Sequence, residues 1–203
     1  MSKTRTISAI ILIAISVLGG PAQAAATPVS TDGIAGPAHI TLLNETDNRQ
    51  PLEIVTWGVS RYSAAGLVLP DSEITFHPFD PSLENCNGHG GYHTVSEGEH
   101  IIDVCAVGVP SRRRLVLHEF AHAWARENLT DSQREALMAD RELETWNDHG
   151  VEWAQRGTEH AAEIITWGLD MQCSPHEIIS DQEAASLAAA FEFLTGTETL
   201  CEA

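Results

Sequence analysis

The chain has 203 residues, 29 of them acidic and only 11 basic, which gives a formal charge of −18 at neutral pH. That balance excludes the function classes that rest on clustered Lys and Arg, namely nucleic-acid binding and docking on anionic membranes. The length suits one domain with a substantial hydrophobic core and is short for two.

Lys3 and Arg5 precede an uncharged apolar run from Ile7 to Leu18, which gives way to small residues ending Ala22-Gln23-Ala24. This is the pattern of a secretory signal peptide. The run, about twelve residues, falls short of the roughly twenty that a membrane span needs. Residues 1–24 are therefore expected to be a cleaved signal peptide, and the mature protein to be extracellular and free of the membrane. Cleavage removes two of the 11 basic residues and none of the 29 acidic ones, taking the formal charge from −18 to −20. Residues 25–50 are rich in Ala, Thr, Pro and Gly and read as a linker or a loosely ordered N-terminal segment. Residues 51–203 are left as the folded domain, expected to be monomeric.

From Pro51 to Leu67 the apolar positions Leu52, Val55, Val59 and Tyr62 recur three or four apart, which predicts an amphipathic helix. The stretches Ile74–Phe79 and His100–Cys105 alternate like strands. Between them lies a loop rich in Gly, Asn and His that contains Cys86, Gly88, Gly90, Gly91 and Tyr92. The second half reads as helical. Ser111 can cap a helix reaching Asn128, with Leu117, Phe120, Ala121 and Trp124 as its apolar stripe. Thr130 with Gln133, and Ser180 with Glu183, form capping boxes. Thr158 is placed to cap a helix carrying Glu159, Glu163 and Trp167, and the last helix should stop near Gly196. A small strand region packed on a mainly helical core makes the class α+β. Trp57, Trp124, Trp146, Trp153 and Trp167 are expected to be core anchors.

Cys86, Cys105, Cys173 and Cys201 are an even set in a chain bound for an oxidising compartment, which predicts two disulfides. The local pairing, Cys86 with Cys105 and Cys173 with Cys201, is preferred among the three possible, and each bridge should contribute about 3 kcal/mol in the chain-entropy model. Zinc ligation by these thiols is disfavoured, because no Cys-x-x-Cys pair is present.

The residues that carry chemistry are His118-Glu119-Phe120-Ala121-His122. Positions four apart on a helix lie one turn above the other, so two imidazoles on one face can grip a single tetrahedral ion. Glu119, about 100° round the helix from His118, can reach a water on the open position of that ion and take its proton. A third ligand is needed. Ala125 and Asn128 stand where an extension of the motif along the same helix would place Gly and His, so the ligand must come from elsewhere. Glu159-His160-Ala161-Ala162-Glu163 offers two carboxylates on one face of a later helix. Glu159, Glu163 or His160 could ligate, or the two glutamates could form an ordinary solvated pair. The flanking Ala161, Ala162, Ile164, Ile165 and Trp167 argue against solvation, because two buried like charges need a cation.

His118 to His122 followed by a helix bearing Glu-x-x-x-Glu resembles the gluzincin branch of zinc peptidases over roughly residues 111–170. The resemblance implies a minimal zincin core, a Zn2+ ion held by His118, His122 and Glu159, support from Glu163, and Glu119 as general base. It also implies a Tyr or His that steadies the oxyanion, a role for which Tyr92 and His149 are available. The expected function is a secreted zinc metallopeptidase acting on a peptide or protein substrate. A catalytically silent zinc-stabilised binding domain and an amidase acting on a cell-wall amide are the alternatives. Glu119 favours the enzyme, since a structural metal site has no use for a base there.

Overall fold

The computed structural model describes residues 27–29, 39–46, 49–78, 80, 82–105, 112–175 and 182–201. The expected signal peptide, Phe79, Ser111 and Ser180 lie outside these residues, but the last helix begins at Ala184 with Glu183 as its N-cap, so the expected box of Ser180 and Glu183 does not open it.

In chain order the elements begin with β1 (Thr27–Val29), β2 (Ile40–Asn44), α1 (Gln50–Ala64) and β3 (Ser72–Phe76). There follow β4 (Gly91–Ser96), β5 (Glu99–Val104), α2 (Arg112–Asn128), α3 (Asp131–Asp140), α4 (Gly157–Leu169) and α5 (Ala184–Thr195). The class is α+β, as expected. The strands form one sheet in the order β1-β2-β3-β5-β4. β2, β3 and β5 run parallel, while β1 and β4 close the two edges antiparallel. α1 is the crossover between β2 and β3, the connection a parallel pair requires.

The sheet corrects two expectations. The segment 25–50, expected as a linker, supplies β1 and β2, and Ile40 and Leu42 of β2 are fully buried in the core. An alternation of five residues is too short to stand out from the Ala, Thr, Pro and Gly around it. The loop expected around Tyr92 supplies β4, whose residues are all half-buried or exposed and so carry no apolar alternation. Its hairpin with β5 turns at Glu97 (φ 53°) and Gly98 (φ 90°), the two positive-φ positions of a two-residue I′ loop.

The core lies where the sheet meets α2, which packs on β4 and β5, with α1 on one flank and α4 on the other. Every residue of α2 from Val116 to Phe120 is buried, so its apolar stripe is a whole buried turn. Tyr62 of α1 meets Phe120 edge to face at 6.1 Å and donates its hydroxyl to the Leu117 carbonyl. α5 lies against α4, with Phe191 over Gly168, where an added Cβ would stand 2.1 Å from the ring.

The capping box of Thr130 and Gln133 opens α3, and Gly196 ends α5 in the left-handed conformation. Thr158 does not cap α4. The helix starts at Gly157, and its first N–H groups are met by the carbonyls of Thr145 (2.8 Å) and Trp146 (2.9 Å). Those bonds leave nothing for a side-chain cap to satisfy. Cys86 is bonded to Cys105 and Cys173 to Cys201, the local pairing. Trp124 and Trp167 are core anchors, but Trp146 and Trp153 are only half-buried and line a cleft.

Candidate metal centre

The cleft has a volume of about 950 Å³ and lies between β4, α2, the start of α4 and the segment leading into it. α2 brings His118 and His122 to its wall, one turn apart, and α4 brings Glu159 to face them. His122 Nε2 is 3.0 Å from His118 Nε2, and Glu159 Oε2 is 3.2 Å from His118 Nε2 and 3.3 Å from His122 Nε2. A tetrahedral site with bonds of about 2.0–2.1 Å has ligand-to-ligand edges of about 3.3–3.4 Å. The three atoms therefore already stand close to three corners of one tetrahedron, and the group could hold a metal ion. Two imidazoles and one carboxylate are a donor set that suits a divalent transition ion.

Electrostatics within the group point the same way. Burial alone would raise the Glu159 carboxyl and depress the His118 imidazole. Hydrogen bonding to His118 and His122 nevertheless holds Glu159 well below the usual carboxylate range, and Glu159 together with Glu163 pushes His118 up to about 10. The pocket thus demands positive charge, carried by a proton in the bare protein.

Glu163 stands behind the histidine. Its Oε1 lies 2.9 Å from His118 Nδ1, and its Oε2 meets the Arg114 guanidinium. Arg114 also donates to the Ser174 carbonyl at 2.9 Å and lies 3.6 Å from Asp170. Of the two carboxylates on α4, Glu159 faces both Nε2 atoms and Glu163 faces only the far side of His118. His160 points away and sits 3.0 Å from the Ala154 carbonyl, buried. The solvated-pair alternative does not hold, because Glu163 is 4% exposed and the Glu159 side chain 12%. Arg114 was missed from sequence, although it lies one turn before His118 on the same helix.

Glu119 is 4% exposed and lines the same cleft. Burial raises its carboxyl above the ordinary range against the opposing pull of His118 and His122. Its position depends on Gly91 of β4, where an added Cβ would stand 2.4 Å from Glu119 Oε1. Only a residue without a side chain lets the carboxylate lie against the strand.

β4 also brings His93, a candidate cleft residue from the sequence, and with it a group of partners that the sequence did not mark. His93 stacks on His122 with ring centroids 6.1 Å apart, and its Nε2 lies 2.9 Å from His100 Nδ1. His100 Nε2 lies 3.2 Å from Glu127 Oε1. Burial and the neighbouring His122 and His100 depress His93 to about 3, so it is neutral at physiological pH. With Glu127 accepting from His100 Nε2, His100 Nδ1 must accept from His93 Nε2, which fixes both tautomers. Tyr92 and His149 also line the cleft, His149 on its exposed rim.

Comparison with protein-family models, with curated proteins and with solved structures gave no match for this chain.

Proposed function

We propose that the protein is a secreted zinc-dependent metallopeptidase. The observation that carries this reading is the convergence of His118, His122 and Glu159 in one cleft with the buried carboxylate of Glu119. A zinc ion bound there would polarise a substrate carbonyl and acidify a bound water. Glu119 would take the proton from such a water and pass it to the leaving amine, and its raised affinity for protons suits that role. Glu163 Oε1 lies 2.9 Å from His118 Nδ1 and favours the proton on that nitrogen, which would leave the Nε2 lone pair free to ligate. Arg114 sits against the other oxygen of Glu163 as its counter-charge.

The outer edge of β4 has no strand partner among the described residues and borders the cleft, so an extended peptide can pair with it. Tyr92 and His149 are the groups on hand to polarise the carbonyl. Secretion agrees with the two disulfides and with the absence, among the described residues, of any helix long and apolar enough to cross a membrane.

The test is metal content by atomic emission together with cleavage of casein and a peptide library, for the wild type and Glu119→Gln. The proposal expects zinc in both proteins and turnover in the wild type alone. Zinc in both with no wild-type turnover would instead indicate a silent, zinc-stabilised domain.

A further inference from the structure

The cleft does not share the acidity of the chain, because its four arginines match its four carboxylates. Of the 11 basic residues in a protein of formal charge −18, Arg114, Arg126, Arg134 and Arg156 all line this one cavity. Its carboxylates are committed elsewhere. Glu159 faces the two imidazoles, Glu163 meets Arg114, and Glu127 meets His100, while Glu119 is buried against Gly91. The guanidiniums of Arg126 and Arg156 meet no carboxylate among the described residues. Arg156 donates only to the carbonyls of Val151 and His149. Arg126 is exposed and has no hydrogen-bond acceptor among them. Arg134 lies over the Trp146 ring at 5.4 Å, donates to the Arg126 carbonyl, and has the exposed Asp131, at 3.5 Å, as its counter-charge. With a divalent ion held, the positive charge in the cleft exceeds that of its four carboxylates. So loaded, an open cavity with arginines free of carboxylates would select for an anionic ligand.

We propose that the cleft takes a peptide bearing an acidic side chain, whose carboxylate is held by Arg126 with Arg134 behind it. The position along the peptide follows from the helix. Arg126 lies four residues beyond His122, about 6 Å along the α2 axis. An extended chain advances about 3.3 Å per residue, so the acidic residue falls within about two positions of the bond at the metal site. β4 runs beside the helix over this stretch, with Gly91 against Glu119 and His93 on His122, so a peptide on its edge passes each group in turn. The position of the acidic residue relative to the cleaved bond rests on the peptidase reading, but the binding of the carboxylate does not.

Two measurements separate them. The first is kcat and KM on C-terminally amidated peptides matched except for Glu or Gln near the scissile bond, with a third carrying Gln and a free C-terminal carboxylate. The expected result is a preference for internal Glu of about ten- to a hundredfold in kcat/KM, expressed mainly in KM. Arg126→Ala should abolish the preference and Arg126→Glu should shift it toward Lys. The second is fluorescence anisotropy with the same peptides on zinc-loaded Glu119→Gln protein, which reads binding without turnover. Tighter binding of the Glu peptide with no cleavage by the wild type would refute the peptidase and keep the acidic ligand. Equal binding of Glu and Gln peptides, or a preference that survives Arg126→Ala, would overturn the inference. So would a preference for the free C-terminal carboxylate over internal Glu.

Discussion

Replacing Gly91 by Ala moves the proposed base without touching it. The Gly91 backbone is not in the left-handed region, so alanine meets no conformational penalty there. The new methyl would stand 2.4 Å from Glu119 Oε1 and 3.0 Å from its Cγ, about 1 Å inside van der Waals contact at the oxygen. The carboxylate is the far end of a side chain that borders an open cleft, so it swings away and the strand stays in place. A misplacement of about 1 Å in a reacting group costs on the order of a hundredfold in rate. Gly91→Ala should therefore lower kcat by roughly that factor, at a stability cost near the bottom of the about 1–3 kcal/mol range for overpacking. The assay is kcat and KM on a cleaved peptide, with zinc content and urea unfolding measured on the same preparation. Unchanged kcat in a folded, zinc-loaded Gly91→Ala protein would refute the assignment of Glu119 as base.

Other outcomes follow from the same geometry. Glu159→Ala should abolish zinc retention in equilibrium dialysis, whereas Glu163→Ala, which removes only the support of His118, should weaken it by about ten- to a hundredfold; the opposite ranking would exchange their roles. With His118 held up to about 10, the metal-free protein carries that proton at neutral pH. Zinc binding near pH 7 should release it, seen as a calorimetric enthalpy that varies with the ionisation heat of the buffer; no such variation would refute the charge assignment. In the metal-free protein the stabilisation from protonated His118 is complete below its ordinary value of 6.5 and is lost as pH rises through about 10, so urea midpoints should fall across that window. Gly168→Ala, which drives a methyl into the Phe191 ring, should destabilise by about 1–3 kcal/mol in urea unfolding. Zinc affinity unchanged in that variant would separate core packing from the site.

The sequence exposed most plainly what obeys local rules. The spacing of His118 and His122, the pair Glu159 and Glu163, the Thr130 capping box and the nearest-neighbour disulfides all follow from positions a few residues apart or from counting. What it concealed is set by the sheet. β4 is an edge strand with neither face fully buried, so it lacks the alternation by which strands are recognised, and the glycine needed against Glu119 made it look like a loop. Arg114 and the chain from His93 through His100 to Glu127 are ordinary residues until β4, β5 and α2 are brought side by side. Thr158 misled because the carbonyls that satisfy the start of α4 come from residues more than ten positions earlier.

The proposed ligand set is divided between two helices, with His118 separated from Glu159 by 41 positions. Neither helix alone can close the triangle, so affinity for an ion would exist only in molecules where α2 and α4 are docked. By mass action, an ion at a hundred times its dissociation constant would deepen the native well by about 2.7 kcal/mol. A chelator would thus lower the melting temperature as well as stop turnover, and an inactive variant that keeps the triad would still melt in step with zinc concentration.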